Sequence, residues 1–381
     1  MSLSTDVLVI GGGAIGLATA LELAGQGAKV TVLSRNFAEA ALHAAAGMLA
    51  PQAEGLPPGP MLDLCLGSRS LYPAWIERLE ILTGIDCGYW NCGILAPVFS
   101  AGSDSPSEKF SATSATPSLW LDSNSIRQQQ PGLNQQITGG WWFPADGQVD
   151  NRRLAKALRV AVEQVGVTIH ENLIVQALQC SGQQITGVST TAGEWQAATY
   201  VLATGAWSGQ ILPIPVVPRK GQMLSVQMPL GDETTQSLHQ VIFGDRTYLV
   251  PRRDGQVIVG ATSEPVGFSP GNTPEGMRSL LEGAINLYPP LRDWPIQECW
   301  WGFRPATPDE WPILGPSPYQ NLVLATGHYR NGILLTPITA RLIADLIVHK
   351  KHDPLLEDFH WSRLEAQPGA SNFETSAALR K

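Results

Sequence analysis

Two distant stretches of the chain carry the same hydrophobic pattern. Leu322-Val323-Leu324-Ala325 is an unbroken apolar run of the kind a buried parallel strand needs. Thr326 to Gly332 interrupts it, and from Ile333 onward apolar residues recur at helical spacing. Near the start, Val7 to Ile10 is a second short apolar run. It leads into Gly11-Gly12-Gly13-Ala14-Ile15-Gly16, a helical pattern over Leu17 to Leu23, and another apolar run from Lys29 to Leu33. Strand, glycine loop and helix are written twice, and Tyr200 to Ala203 followed by Thr204-Gly205-Ala206-Trp207 repeats the first half of the same phrase. The alternation predicts an α/β fold with a parallel, Rossmann-like sheet.

Between these stretches the pattern changes. Leu62 to Leu82 reads as a helix with Leu66, Leu71, Trp75, Ile76 and Leu79 on its core face. From Ile85 to Trp142 β segments appear, among them Gly93 to Val98, interrupted by a Ser/Thr-rich loop, Ser100 to Ser118, that reads as a mobile surface excursion. Asn151 to Val165 is amphipathic, Val167 to His170 a strand, and the residues around Gly182 and Gly187 a hairpin. Met223 to Gln227, Tyr248 to Val250 and Val257 to Ala261 form a second β-rich block. Met277 to Tyr288 is helical, and Trp300 to Pro312 leads back to the last strand. The chain therefore divides into a discontinuous nucleotide-binding domain (1–84, 144–213 and 304–366) and a second α+β domain on a mixed or antiparallel sheet (85–143 and 214–303). Residues 367–381 form a loose tail.

The glycines of the first loop specify a ligand class. Gly11 permits the tight turn, Gly13 lets the backbone approach a pyrophosphate, and Gly16 lets helix and strand pack closely. Gly332 leaves the amides of the last helix start unobstructed, a second position that favours electron-rich groups. Ala44-Ala45-Ala46-Gly47 carries nothing larger than a methyl, so backbone there can press against a flat ligand or simply against a neighbouring helix. The second strand ends in Ser34-Arg35 rather than in the carboxylate that accepts ribose hydroxyls. That pair also suits the 2′-phosphate of NADP, so a nicotinamide dinucleotide stays open on these residues alone.

Bulk properties narrow the partners. The 381 residues exceed what one core comfortably organises, hence two domains. A net charge of −8 without a basic run argues against nucleic acid. The five cysteines form no C-x-x-C pair and, with no secretion-signal pattern over residues 1–10, suit a reducing cytoplasm; no metal-ligand spacing occurs. No apolar stretch is long enough to span a bilayer.

Four segments, Gly11 to Gly16, Ala44 to Leu49, Ala203 to Ser208 and Gly327 to Leu335, resemble in order the FAD-contacting segments of the D-amino acid oxidase and glycine oxidase family. The resemblance covers nearly the whole chain apart from the 100–118 loop and the tail. It implies noncovalent FAD held by Gly11, Gly13, Ala14, Ile15, Gly16, Ser34, Arg35, His43, Ala44, Ala45, Ala46, Gly47, Met48, Val175, Thr204, Gly205, Trp207, His328, Arg330, Asn331, Gly332, Ile333 and Leu334. Histidines that attach flavin covalently in related dehydrogenases directly precede Ala-Ala-Gly, whereas here Ala44 stands between His43 and that motif.

The same resemblance places a substrate carboxylate on Arg304 and Tyr248, with Arg330, Met48, Arg246 and Ser263 lining the pocket. Arginine suits that duty because its planar fork binds a carboxylate through two charge-assisted hydrogen bonds. The implied activity is oxidation of glycine, sarcosine and small D-amino acids. O2 is reduced to hydrogen peroxide, ammonia is released, no protein acid or base is required, and the imine product feeds thiazole formation for thiamine. A homotetramer is implied as well. The rival reading is an amino acid dehydrogenase that passes its electrons to a quinone.

Overall fold

The computed structural model describes residues 5–99, 118–229 and 237–365. Both the 100–118 loop, apart from Ser118, and the tail lie outside the described residues. Two sheets organise the chain. The first has six strands in the order Ile313–Pro316, Leu322–Thr326, Ala197–Leu202, Thr5–Ile10, Val30–Leu33 and Thr168–His170. All neighbours are parallel except the first pair.

Short apolar runs become strands here because both faces of the sheet are covered. Val7, Val9, Val30, Val32, Val201 and Val323 face helices Ala14–Gly25, Pro60–Thr83, Asn151–Gln164 and Thr336–Val348. The alternating Leu8, Ile10, Leu33, Tyr200, Leu202 and Leu324 face a small three-stranded antiparallel sheet, Val175–Ser181, Gln184–Thr190 and Gly193–Trp195. The hairpin turns at Gly182; Gly187 lies within the second strand beside a register shift rather than at the turn. Parallel strands with these connections bring the loops after Ile10, Leu33, Leu202 and Thr326 to one edge, where such sheets bind ligands.

The second sheet has eight strands, in the order Ile296–Ala306, Val217–Gln227, Gln256–Gly260, Tyr248–Pro251, Val241–Phe243, Ile94–Phe99, Ile137–Phe143 and Leu119–Asp122. Its single parallel pair joins Val241–Phe243 to Ile94–Phe99. One face, with Leu224, Val226, Leu249 and Val259, packs on helix Pro274–Leu287. The other, with Met223, Val250 and Ile258, covers Ala46, Ala50 and Ala53. The second sheet is thereby laid across the small-residue stretch that follows the second strand of the first sheet.

Two elements depart from expectation. Trp300 to Pro312 is not a mere connection, because Ile296–Ala306 is an eleven-residue edge strand paired along its length with Val217–Gln227. In helix Pro60–Thr83 the buried face runs through Met61, Leu64, Cys65, Ser68, Tyr72, Trp75, Ile76 and Leu79. Leu66 and Leu71 sit only at its margin.

Candidate active site

One elongated cavity of about 1720 Å³, counted with its open mouth, runs between the two sheets. Gly13 lines one end and Gly332 lines a wall further along, so the two glycine loops at opposite ends of the sequence share it. At the first loop, Gly11 adopts φ 120°, and a Cβ there would collide with the Ala203 backbone. Gly13, by contrast, faces open space, its nearest neighbour being the Ala40 methyl at 3.9 Å from an added Cβ. Gly16 is not on the wall: its missing side chain lets helix Ala14–Gly25 press against the Gly11 carbonyl. The helix starts at Gly13 without a side-chain cap, leaving its first amides to the cavity.

Ser34, Arg35, Val175, Thr204, Gly205 and Trp207 surround this end. The Arg35 guanidinium lies 5.1 Å from the Trp207 ring centroid and is 3.6 Å from the Glu39 carboxylate. Ser34 is buried, with its hydroxyl in the space a Cβ on Gly12 would take. The Phe268 ring stacks on Trp207 at 5.2 Å and meets Phe303 at 5.1 Å, which closes the flank with aromatic surface.

In the middle of the cavity, Ala44, Ala45, Ala46, Gly47 and Met48 form one wall. Their backbone is held from behind. Trp300 Nε1 donates to the Ala44 carbonyl at 3.2 Å, and buried Arg252 donates to the Ala46 carbonyl at 2.8 Å and to Asn151 Oδ1 at 3.2 Å. Gly47 has φ 78°, and a Cβ there would strike the Val149 carbonyl. His43 is not on this wall. Its ring packs edge-on against Phe37 at 4.7 Å, and burial together with the Arg152 charge lowers its pKa.

The opposite wall comes from the loop after Leu322–Thr326. His328, Arg330, Gly332 and Ile333 line it, whereas Asn331 and Leu334 turn into the core. Ser68 donates to the Leu334 carbonyl at 2.5 Å and Tyr72 donates to the Ile333 carbonyl. The regular helix begins at Thr336 rather than at Ile333, because a short 3-10 turn, Tyr329–Asn331, intervenes. Among the described residues the amides of Gly332, Ile333 and Leu334 have no acceptor, while the next, Leu335, donates to Asn331 at 2.8 Å. Three free donors in succession suit the electron-rich edge of a flat ring. His328 is neutral: burial pushes its pKa down to about 3, and its Nε2 lies 3.1 Å from Thr339 Oγ1.

Beyond this wall stand the groups expected to meet a substrate. Arg304, on the edge strand, donates through Nη1 to the Thr262 carbonyl at 3.0 Å and turns its remaining donors to the cavity. Tyr248 projects beside it, its hydroxyl 3.6 Å from Met223 Sδ, and burial raises its pKa while the Arg304 charge opposes the shift. Both need glycine neighbours. A Cβ on Gly221 would stand 2.7 Å from Arg304 Cζ, and one on Gly260 would stand 2.6 Å from the Tyr248 ring. Arg330 reaches the Tyr329 hydroxyl at 3.3 Å. Arg246 and Ser263 are exposed and off the cavity wall, Arg246 in the turn before Tyr248 and Ser263 within 3.3 Å of the Tyr329 hydroxyl.

The wall also contains Glu54, Met223, Tyr329 and Phe303, which sequence reasoning did not single out. Glu54 is the most consequential, because it puts a carboxylate opposite two arginines. Among the described residues no cluster of metal-ligating side chains and no helix able to cross a membrane occurs.

Residues 6–346 match the family model described as FAD dependent oxidoreductase. The chain is 54% identical to the bifunctional protein ThiO/ThiG of Trichormus variabilis over 99% of its own length. It spans about 58% of that relative, and so little more than half the length of this kind of curated relative. It is 34% identical to the glycine oxidase of Geobacillus kaustophilus, with 91% of this chain and 93% of that one covered. The crystal structure of the glycine oxidase from Geobacillus kaustophilus superimposes with a TM-score of 0.87 at 32% identity, covering 94% and 99% of the two chains.

Proposed function

The chain belongs to the family of FAD-dependent oxidoreductases, and we propose that within it this protein oxidises glycine, with sarcosine and small D-amino acids as further substrates. One observation carries the reading. The cavity that starts at the dinucleotide loop, Gly13, continues unbroken to three acceptor-free amides around Gly332 and ends at Arg304 and Tyr248. Its volume suits a dinucleotide, the small residues and backbone at Ala44–Gly47 and Gly332 suit a flat ring, and Arg304 with Arg330 suits a small acid.

In this reading the amides from Gly12 to Ile15 hold the diphosphate, since that of Gly11 donates to the Leu33 carbonyl at 2.9 Å, and Ser34, Arg35 and Val175 surround the adenosine. Ala44 to Met48 and Gly332 to Leu334 clasp the flavin ring, noncovalently because His43 lies off the wall. When bound, the flavin supplies the two-electron acceptor for the substrate Cα–H and returns those electrons to O2 as hydrogen peroxide. At the carboxylate and along the ring the protein's part is positional and electrostatic. Arg304 and Tyr248 grip the carboxylate so that Cα faces the ring, Arg330 and Met48 close the site, and the Gly332–Leu334 amides stabilise negative charge at the ring's edge. The imino acid leaves to hydrolyse or to feed thiazole formation, as the ThiO/ThiG relatives suggest.

The same reading assigns residues 1–84, 144–213 and 304–366 to the FAD domain and 85–143 and 214–303 to the substrate domain, and it adds a homotetramer in the cytoplasm. The test is an anaerobic panel of glycine, sarcosine, D-alanine and L-alanine mixed with the yellow protein. Glycine should bleach the flavin and air should restore the colour. Bleaching that only a quinone reverses would assign the protein to the dehydrogenases, and no bleaching by any amine would refute the proposal.

A further inference from the structure

Amine oxidation poses a proton problem that the carboxylate clamp does not solve. An amino acid arrives as an ammonium, whose nitrogen has no lone pair to assist loss of hydride from Cα. One proton must leave first. Resting on the glycine-oxidising reading above, we propose that Glu54 is the catalytic base that takes this proton, making it a substrate-contacting residue outside the set the family resemblance implies.

The geometry is that of a presented carboxylate. Gln52 to Glu54 form a tight turn pinned from below by Asp146, whose Oδ2 accepts from Gln52 N at 3.2 Å and Ala53 N at 2.9 Å. Asp146 is itself paired with Arg69, which also donates to Gln52 Oε1 at 2.8 Å. Glu54 N donates to the Ala50 carbonyl at 3.0 Å and Gly55 N to Gln52 at 2.9 Å, so the turn is fixed on both sides. Its outcome is a side chain on the cavity wall with Tyr248, Arg304 and Arg330, and its carboxylate makes no hydrogen bond or ion pair among the described residues. Glu54 is half-buried, so its unpaired carboxylate opens onto the cavity and is free to take a cationic group of a ligand.

The charged and titratable groups around Glu54 come from every side. Arg330 and Arg304 favour its ionised form, Asp146 and Glu310 oppose it, and Tyr248 and Cys65 face it from the sheet and from helix Pro60–Thr83. Burial outweighs the arginines and pushes the carboxyl up to about 7. A base poised there is about half ionised at neutral pH and basic enough to accept a proton. The step balances without a further reactant. One N–H bond of the substrate ammonium breaks, its electron pair stays on nitrogen, and an O–H bond forms on Glu54. With the carboxylate on Arg304 and the ammonium on Glu54, the zwitterion is held by both of its charges.

The experiment compares native holoenzyme with Glu54→Gln and Glu54→Asp, following glycine kcat/KM from about pH 6 to 9 and, separately, glycolate binding through the flavin spectrum. Glycolate has the carboxylate and no amine, so retained glycolate affinity in Glu54→Gln reports an intact fold and clamp. Native kcat/KM should climb with pH and level off near 7. In Glu54→Gln it should fall about 10²-fold at neutral pH and keep climbing without that plateau, since only amine already neutral reacts. Glu54→Asp should restore part of the plateau. A Glu54→Gln profile that keeps the plateau, or that falls equally at every pH, would overturn the proposal. A native protein that no amine bleaches would fail the oxidase reading itself, and the base with it.

Discussion

Gly221 offers a way to move the substrate clamp without touching its charge. The residue pairs with Gly302 across the two long strands, and its missing side chain leaves room for the Arg304 guanidinium. Its φ is not in the left-handed range, so Gly221→Ala strains nothing in the backbone. The added methyl would stand 2.7 Å from Arg304 Cζ, where ordinary contact begins at 3.4 Å, so the guanidinium must retreat by at least 0.7 Å. Only the far end of a flexible side chain moves, and stability should change by less than about 1 kcal/mol. Catalysis is less tolerant: displacement of a positioning group by about 1 Å costs on the order of 10²-fold. Steady-state oxidation of glycine should therefore lose about 10²-fold in kcat/KM, while Tm and the flavin spectrum stay as in the native protein. Methylamine, which has no carboxylate for Arg304 to grip, should react no worse than before. Unaltered glycine kinetics would refute the placement of the carboxylate on Arg304, and an equal loss for methylamine would show that the methyl disturbs something other than the clamp.

Other consequences can be measured separately. Arg304→Ala removes two charge-assisted hydrogen bonds worth about 1.5–3 kcal/mol each, so glycine kcat/KM should drop roughly 10²- to 10⁴-fold; an unchanged KM and kcat would contradict the assignment. Arg252→Met leaves the buried carbonyls of Ala46 and Val149 without their donor. It should lower stability by about 2–4 kcal/mol and weaken FAD binding, read by thermal melts and flavin titration. Glu54 bears on stability as well. Its folded pKa is raised from 4.5 to about 7, so the group favours the folded state below about 4.5 and loses that contribution as pH climbs to about 7. The melting temperature of Glu54→Gln relative to native should therefore rise between those values and stay level above them. A difference independent of pH would show that Glu54 is not buried in its acid form.

The sequence disclosed those parts of the fold whose signals are local. Val7 to Ile10 and Leu322 to Ala325 read as strands because both faces are buried, and Gly11, Gly13 and Gly332 read as a ligand loop because their chemistry is carried by the backbone itself. Strand Ile296–Ala306 is hidden in the sequence because an edge strand with exposed Ile296 and Trp301 has no apolar alternation to mark it. The apolar character of Leu66 and Leu71 points to the core, whereas Ser68 and Cys65 complete the buried face. Glu54 carries no signal of its own. Its environment is made by Asp146, Arg304 and Arg330, far away in sequence, and nothing within Pro51-Gln52-Ala53-Glu54-Gly55 distinguishes it from a surface glutamate until those elements converge. His43 shows the opposite case: it adjoins in sequence the alanines that line the cavity, yet the short helix Ala41–Ala44 turns it to Phe37.

The central claim is that both ends of the polypeptide grip one FAD and aim its ring at an arginine-held acid. A crystal structure of the yellow protein with glycolate tests it most directly. The account predicts diphosphate oxygens on the amides after Gly11, the pyrimidine edge of the flavin on those of Gly332 to Leu334, and the glycolate carboxylate on Arg304 with Glu54 facing the substituent at Cα. Density that puts the ring outside the space between Ala46 and Gly332, or the glycolate away from Arg304, would contradict it.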